Sequence, residues 1–250
     1  MAETQGGNTA RRALRLIEAV AASRGPVSLQ ELAETVGLNK PTAYRLLRVL
    51  QEEAYLVHVD TGGYRIGTQL MALAAQVMPR ADVFVEARPV LQALAEQSGE
   101  TATLHLRAGD EAVLVLGVES AHELRRAARL GSATPLHRGC SGQAILAHLP
   151  AREVAALLKR APEHPDPSEV EHAVSMVREQ GFAVSEGANH PGLTGLAAPV
   201  LTPAGHPAAS VAVSGPSGRW TAAKAREFAG VLSEHCARLA SLFTPSPADG

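Results

Sequence analysis

Ser28-Leu29-Gln30-Glu31, Gly37 and Asn39-Lys40-Pro41 leave the N-terminal part of this chain few ways to fold. In the first group the Ser hydroxyl accepts from the amide three residues on while the Glu carboxylate reaches back, a capping box that starts a helix. Leu29, Leu32, Ala33 and Val36 give that helix one apolar face. Gly37 stands where a left-handed residue closes a helix. Asn39 then offers a second N-cap, and Pro41 falls in the first turn, where a missing amide proton does no harm. Two helices joined by so short a turn have helix-turn-helix spacing.

The flanks extend the pattern. Ala13, Leu16, Ile17 and Val20 recur at helical spacing before Gly25-Pro26, whereas the polar, Gly-rich Met1 to Asn8 is expected to fray. Ala43, Leu46, Leu47 and Leu50 form the buried stripe of the second capped helix. Two alternating runs, Tyr55 to Val59 and Tyr64 to Ile66, enclose Asp60-Thr61-Gly62-Gly63, which is hairpin chemistry. Residues 8–67 therefore read as a winged helix-turn-helix, helices followed by a β-hairpin wing. A helix from Thr68 to about Val77, broken by Pro79, makes residues 68–79 a linker.

Residues 80–244 read as mixed α/β, which makes the whole chain α+β. Helices are expected near 85–98, 142–148, 153–160, 168–180 and 222–243. Strands are expected near 101–106, 112–118, 183, 195–201 and 208–213, with a loop through Gly131 and Pro135. Three prolines between Ala161 and Pro167 mark another loop, and residues 245–250 read as a flexible tail. No internal repeat is seen. With 46% hydrophobic residues but only 3% aromatics, the core must rest on Ala, Val and Leu. Two cysteines, Cys140 and Cys236, are too few for a disulfide framework and fit a reducing, cytoplasmic setting. No export signal and no membrane-length apolar run is present.

The second helix of a helix-turn-helix lies in the major groove with its N-terminal side chains on base edges. Here its outward positions are Lys40, Thr42, Tyr44, Arg45 and Arg48, and Thr35 to Gln51 carries three basic residues and no acid. Such a face suits a phosphate-lined groove. The forked donors of Arg45 match a guanine edge; Lys40, Thr42 and Tyr44 suit phosphates, with Ser28 and Pro41 at the helix starts. Arg65 would place the wing along the backbone, and Arg11, Arg12 and Arg15 form a second basic cluster. Charge alone decides little: residues 1–66 hold eight Lys/Arg and seven Asp/Glu, and the net charge is -2. The order of caps, turn and hairpin carries the reading, and Tyr44 stays open as a partly packed core residue.

The run from Leu29 to Leu47 resembles the helix-turn-helix of IclR-type regulators, and Tyr64-Arg65-Ile66-Gly67 resembles that family's wing and exit. The likeness continues through Gly131-Ser132-Ala133-Thr134-Pro135-Leu136-His137, Arg178 to Ala183, Ala197-Ala198-Pro199-Val200 and Ser214-Gly215-Pro216. It implies a winged helix joined by a linker helix to a GAF-like effector-binding domain. It also implies homodimers, often paired into tetramers, that bind palindromic operators in double-stranded DNA, most often as repressors.

The resemblance further implies an effector cavity whose positions here are Cys140, Ser141, Ser185, Leu193, Gly195, Ala212 and Ser214. Helix-start amides and hydroxyls suit a carboxylate or carbonyl oxygen in a mostly apolar cavity. The chain departs from the family pattern. Gln143 follows Ser141-Gly142 where Lys is usual, Ser185 stands where relatives often carry an acid, and Gly195 and Ala212 stand where Cys or a hydroxyl occurs. These departures predict a roomier, less polar pocket for an effector larger or more apolar than a two- or three-carbon oxoacid, such as an aromatic acid. No cofactor and no metal is expected, because His137-x-x-Cys140 lacks a second ligand pair. An enzyme is not expected either, since Cys140 or Ser141 with His137 or His190 has neither nucleophile elbow nor orienting acid. A pure interaction module without ligand remains an alternative.

Overall fold

The computed structural model describes residues 5–23, 25–59, 62–77 and 82–243. Contacts divide the chain into two units, Met1–Ala81 and Asp82–Gly250.

The first unit runs α1 (Gln5–Ala22), α2 (Leu29–Val36), α3 (Lys40–Glu52), β1 (Leu56–Val59), β2 (Gly63–Ile66) and α4 (Thr68–Val77). Ser28 Oγ accepts from the Glu31 amide while the Glu31 carboxylate accepts from the Ser28 amide, so the capping box is complete. Gly37 closes α2 at φ 67°, a backbone shape that costs a Cβ-bearing residue energy. Asn39 Oδ1 accepts from the Thr42 amide at the start of α3. Leu16, Val20, Leu32, Leu47, Leu50, Leu56 and Tyr64 pack into one core, drawing on α1, α2, α3 and the antiparallel hairpin. Val27 adds a bridge to Tyr64, through amide–carbonyl bonds of 3.0 and 2.8 Å. Gln5 to Asn8 are helical rather than frayed: once the Ala13–Val20 stripe is docked, each added N-terminal residue gains a helix bond at little further cost. Met1 to Thr4, Asp60, Thr61 and Pro79 lie outside the described residues, as do residues 245–250.

The second unit contains α5 (Asp82–Ser98), β3 (Thr101–Ala108), β4 (Glu111–Val118), β5 (Ala133–Pro135), α6 (Gly139–Leu146), α7 (Ala151–Arg160), α8 (Pro167–Gln180), β6 (Ala183–Glu186), β7 (Leu193–Leu201), β8 (Pro207–Pro216) and α9 (Ala222–Leu239), with a 3-10 turn at Ala240–Phe243. The strands form one antiparallel sheet in the order β5-β4-β3-β8-β7-β6. Three expectations shift. The Gly131–Pro135 loop contains the short strand β5; α6 begins at Gly139 rather than Gly142; and the last helix tightens after Leu239.

Period-two alternation gives the sheet two different faces. Ala102, Leu104, Leu196, Ala198, Val200, Ala209, Val211 and Val213 face α5 and α9 and form the larger core. The intervening positions, Thr103, His105, Gly195, Ala197, Ser210, Ala212 and Ser214, are small or polar. Small residues let α6 approach closely. A Cβ on Gly142 would stand 2.7 Å from the Pro135 and Leu136 carbonyl oxygens, so this helix position has no room for a side chain. Ser210 Oγ donates to the Ser141 carbonyl at 2.9 Å, tying helix to sheet.

Candidate functional site

In the first unit, α3 buries Ala43, Leu47 and Leu50 and turns Lys40, Pro41, Tyr44, Arg45 and Arg48 outward. Tyr44 is 50% exposed, half on the surface and half covered by its neighbours. Lys40 Nζ donates to Gln30 Oε1 at 3.2 Å, so the start of α3 is tied to α2 by a side chain that the sequence patterning did not single out. Arg45 Nη2 reaches Thr42 Oγ1 at 3.5 Å, a contact too long to hold it. Arg48 differs, because its Nε donates to Glu52 Oε1 at 2.9 Å one turn along the helix. Ser28 is committed to its cap, and its amide, then its side chain, hold the Glu31 carboxyl below the usual range. Arg65 is exposed on β2, opposite Val57 in the hairpin. Arg11 and Arg15 are exposed on α1 and Arg12 is half-buried. This unit presents a cationic, hydrogen-bonding helix face on a rigid three-helix support.

In the second unit a cavity of about 310 Å³ opens between the N-terminus of α6, the β6–β7 loop and the segment joining β4 to β5. Cys140, Ser141, Ser185, Leu193, Gly195 and Ser214 all line it. Ala212 does not; it is buried beneath α6 with Ala197 and Cys140. Ser185 Oγ accepts from the Cys140 amide at 3.2 Å. A Cβ on Gly195 would meet Cys140 Sγ at 2.6 Å, Ser214 Oγ at 3.1 Å and Ser185 Oγ at 3.5 Å, so these three groups converge on one point of β7.

The expected mostly apolar lining is not what these residues build. The space freed at Gly195 is filled by the Cys140 sulfur and two hydroxyls, and the walls add His105, Arg126, Arg138, Asn189 and His190. Sequence reading missed all but His190, which it weighed only as a catalytic base. Only His105 left a signal, as the third residue in the polar alternation Thr101, Thr103, His105, Arg107 of β3. Burial, then the Arg126 charge, pushes His105 down to about 3, so its ring is neutral. Burial, then Arg126, Arg129 and Arg138, lowers His190 as well. Burial pushes the Cys140 thiol up, the opposite of an activated nucleophile. No group of three or more His, Cys, Asp or Glu suited to a metal ion occurs among the described residues. A larger groove of about 640 Å³ runs between α7 and α8, with walls mainly of Ala, Val, Leu and Pro. Arg178, at its edge, is already engaged by the Ala147 and Leu149 carbonyls.

Comparison with known proteins agrees with both halves. The family description "IclR helix-turn-helix domain" matches residues 9–60, and "Bacterial transcriptional regulator IclR C-terminal" matches residues 75–241. The transcriptional repressor IclR of Escherichia coli is 29% identical over 231 residues, covering 88% of this chain and 84% of that protein. The regulator SauR of Cupriavidus necator is 33% identical over 219 residues, covering 84% of this chain and 86% of its own. Among solved structures, an IclR-type regulator from Silicibacter sp. TM1040 has a TM-score of 0.84 at 27% identity, covering 96% of this chain and 98% of that one. These relatives are regulators of transcription, not enzymes. With a capped helix-turn-helix, a six-stranded α/β unit and both family descriptions matched along its length, the chain belongs to the IclR family of bacterial transcriptional regulators.

Proposed function

We propose that this protein is a repressor that binds a palindromic operator in double-stranded DNA as a homodimer or a dimer of dimers. It releases that operator when a small organic effector, an aromatic or other carboxylic acid, fills the cavity beside α6. In this reading residues 8–67 are the DNA-binding domain, 68–79 the linker helix and 80–244 the effector-binding domain, and the protein works in the cytoplasm without cofactor or metal. The observation that carries it is the outer face of α3. Lys40, Tyr44, Arg45 and Arg48 stand exposed opposite a buried Ala43-Leu47-Leu50 stripe, with Thr42 beside Arg45. Arg45 serves as the base reader and Lys40, Thr42, Tyr44 and Arg65 as phosphate contacts.

Dimerisation is supported by α4. Its sequence Thr-Gln-Leu-Met-Ala-Leu-Ala-Ala-Gln-Val is apolar around most of its circumference, yet Met71 is 68% and Leu73 38% exposed. A helix of that composition normally lies buried. Membrane insertion is not the reason: no helix of the described residues is long and apolar enough to cross a membrane.

Selection of genomic fragments by purified protein, followed by a mobility shift on the best site, tests the proposal. One palindrome recovered repeatedly and released by a carboxylic acid supports it. Folded protein that enriches no sequence at low salt defeats it.

A further inference from the structure

The structure assigns Arg126 and His105 as the seat for a ligand carboxylate, in the cavity they share with the small residues around Gly195. The assignment rests on the effector reading above and deepens it by naming the charge the effector must carry and the groups that hold it.

Arg126 Nη1 is buried without a hydrogen-bond partner, and so is His105 Nδ1, on a side chain whose residue is 2% exposed. Both residues line the cavity. A buried guanidinium donor with nothing to bond is costly, and an oxyanion offsets that cost best through charge-assisted hydrogen bonds. Among the described residues, none of those lining the cavity supplies such an anion. The lining residues include no Asp or Glu. Glu119, whose charge reaches Arg126, is already engaged by Arg125 Nε at 2.6 Å and by the Ala128 amide at 2.9 Å. Arg138 adds a further positive charge to the wall, and Arg129 stands close enough to act on His190.

Arg126 is also held in place, although it lies in a connection between strands. Thr101 Oγ1 donates to its carbonyl at 2.8 Å. Two residues earlier, Arg219 Nη2 donates to the Leu124 carbonyl at 2.8 Å, and Arg219 is itself fixed by the buried Glu100 carboxylate. Two residues later the Ala128 methyl closes against Gly117, where a Cβ would stand only 2.5 Å away. The backbone is thus pinned at alternate residues around the side chain that turns inward. Charge and geometry together select a planar carboxylate at the Arg126 end, with neutral His105 as its second partner. The body of the ligand then extends toward Ser185 and Ser214.

The test uses the full-length protein and matched probes: acetate, benzoate and salicylate beside acetamide, benzamide and salicylamide, with benzenesulfonate and phenylphosphonate as other oxyanions. Thermal shift screens them up to tens of millimolar against sodium chloride, and calorimetry measures the best binder. At least one carboxylate is expected to raise Tm saturably while its amide does not. Arg126→Gln should weaken that carboxylate roughly 10- to 100-fold, Arg126→Lys less, and His105→Gln by a smaller factor. Circular dichroism and operator mobility shift without ligand establish that each variant is folded. Equal binding of acid and amide, undiminished affinity in Arg126→Gln, preference for the sulfonate or phosphonate, or no shift from any carboxylate would each overturn the assignment. If operator binding persists in those cases, the regulator reading stands and only the carboxylate seat falls. Loss of operator binding by the wild type, with carboxylates still binding, would do the reverse.

Discussion

The sulfur of Cys140 lies 2.6 Å from the point where a Cβ on Gly195 would stand. Helix α6 and strand β7 therefore share one side chain's worth of space, and the cysteine occupies it. Gly195→Ala should destabilise the second unit by about 1–3 kcal/mol through overpacking. Cys140→Ala in the same chain should recover most of that loss, because among the described residues Ser214 Oγ at 3.1 Å is the only other contact closer than 3.4 Å. Urea unfolding of the wild type, both single variants and the double variant gives the coupling. Purely additive losses would mean the two sites do not compete for space.

The pH dependence of the second unit should carry the signature of His105. Its folded-state value, about 3, lies below the ordinary 6.5 of the unfolded chain. The stabilisation from keeping this ring neutral is complete above the unfolded value and is lost progressively as the pH falls toward the folded one. Going from about pH 7 to about pH 5 should cost about 2 kcal/mol from this residue. His148, His190 and His235 are lowered by burial too and add slope of the same sign. His105→Gln should flatten the acid limb of a urea-midpoint profile without removing it. Superimposable profiles would show that His105 protonates in the folded protein without penalty.

What the sequence disclosed and what it hid follow the range of the forces involved. Ser28, Gly37, Asn39 and Pro41 act within a turn of their own position, so the caps and boundaries of α2 and α3 are written locally. The same holds for Gly181, which closes α8 in a left-handed conformation. β5 escaped notice because three residues ending in Pro135 carry no period, and only pairing with β4 makes them a strand. The cavity was legible where the family likeness named small residues and illegible where it did not. Arg126 has no local pattern at all; Thr101, Arg219 and Glu100, distant in sequence, decide where its backbone sits.

Ser28 separates two roles that the sequence alone merged. As an N-cap it is worth about 1 kcal/mol, so Ser28→Ala should lower the melting temperature of the first unit. Aspartate caps about as well as serine, so Ser28→Asp should retain that stability. If Ser28 also approaches phosphate, the added negative charge should weaken operator binding although the fold is intact. A mobility shift unchanged in Ser28→Asp would confine Ser28 to its cap.

Arg45 and Arg48 are neighbours on α3 with unequal freedom. Arg48 is paired with Glu52 at 2.9 Å, whereas Arg45 has, among the described residues, only the 3.5 Å contact with Thr42. Arg45→Ala should cost specific operator binding roughly 1–3 kcal/mol, the worth of a bidentate base contact. Arg48→Ala should cost less, and equally on specific and random duplex. Equal losses on both duplexes for Arg45→Ala would make it a phosphate contact instead.

Dimerisation through α4 makes the sharpest demand on the proposed assembly. Met71 and Leu73 are exposed on a helix whose neighbours Ala72, Ala74 and Ala75 are exposed as well, so none of these five side chains is buried by the described residues of the chain. Introducing a charge there removes nothing from the protomer's own core and should leave the helix-turn-helix melting unchanged. In a dimer it would place two like charges close together in an apolar seam, which is strongly unfavourable. Met71→Glu with Leu73→Glu should therefore shift the protein toward monomer in analytical ultracentrifugation. It should also weaken binding to a full palindrome far more than to a single half-site, because only the full site rewards two coupled modules. A variant that sediments like the wild type and keeps its preference for the full palindrome would move the dimer contact away from α4.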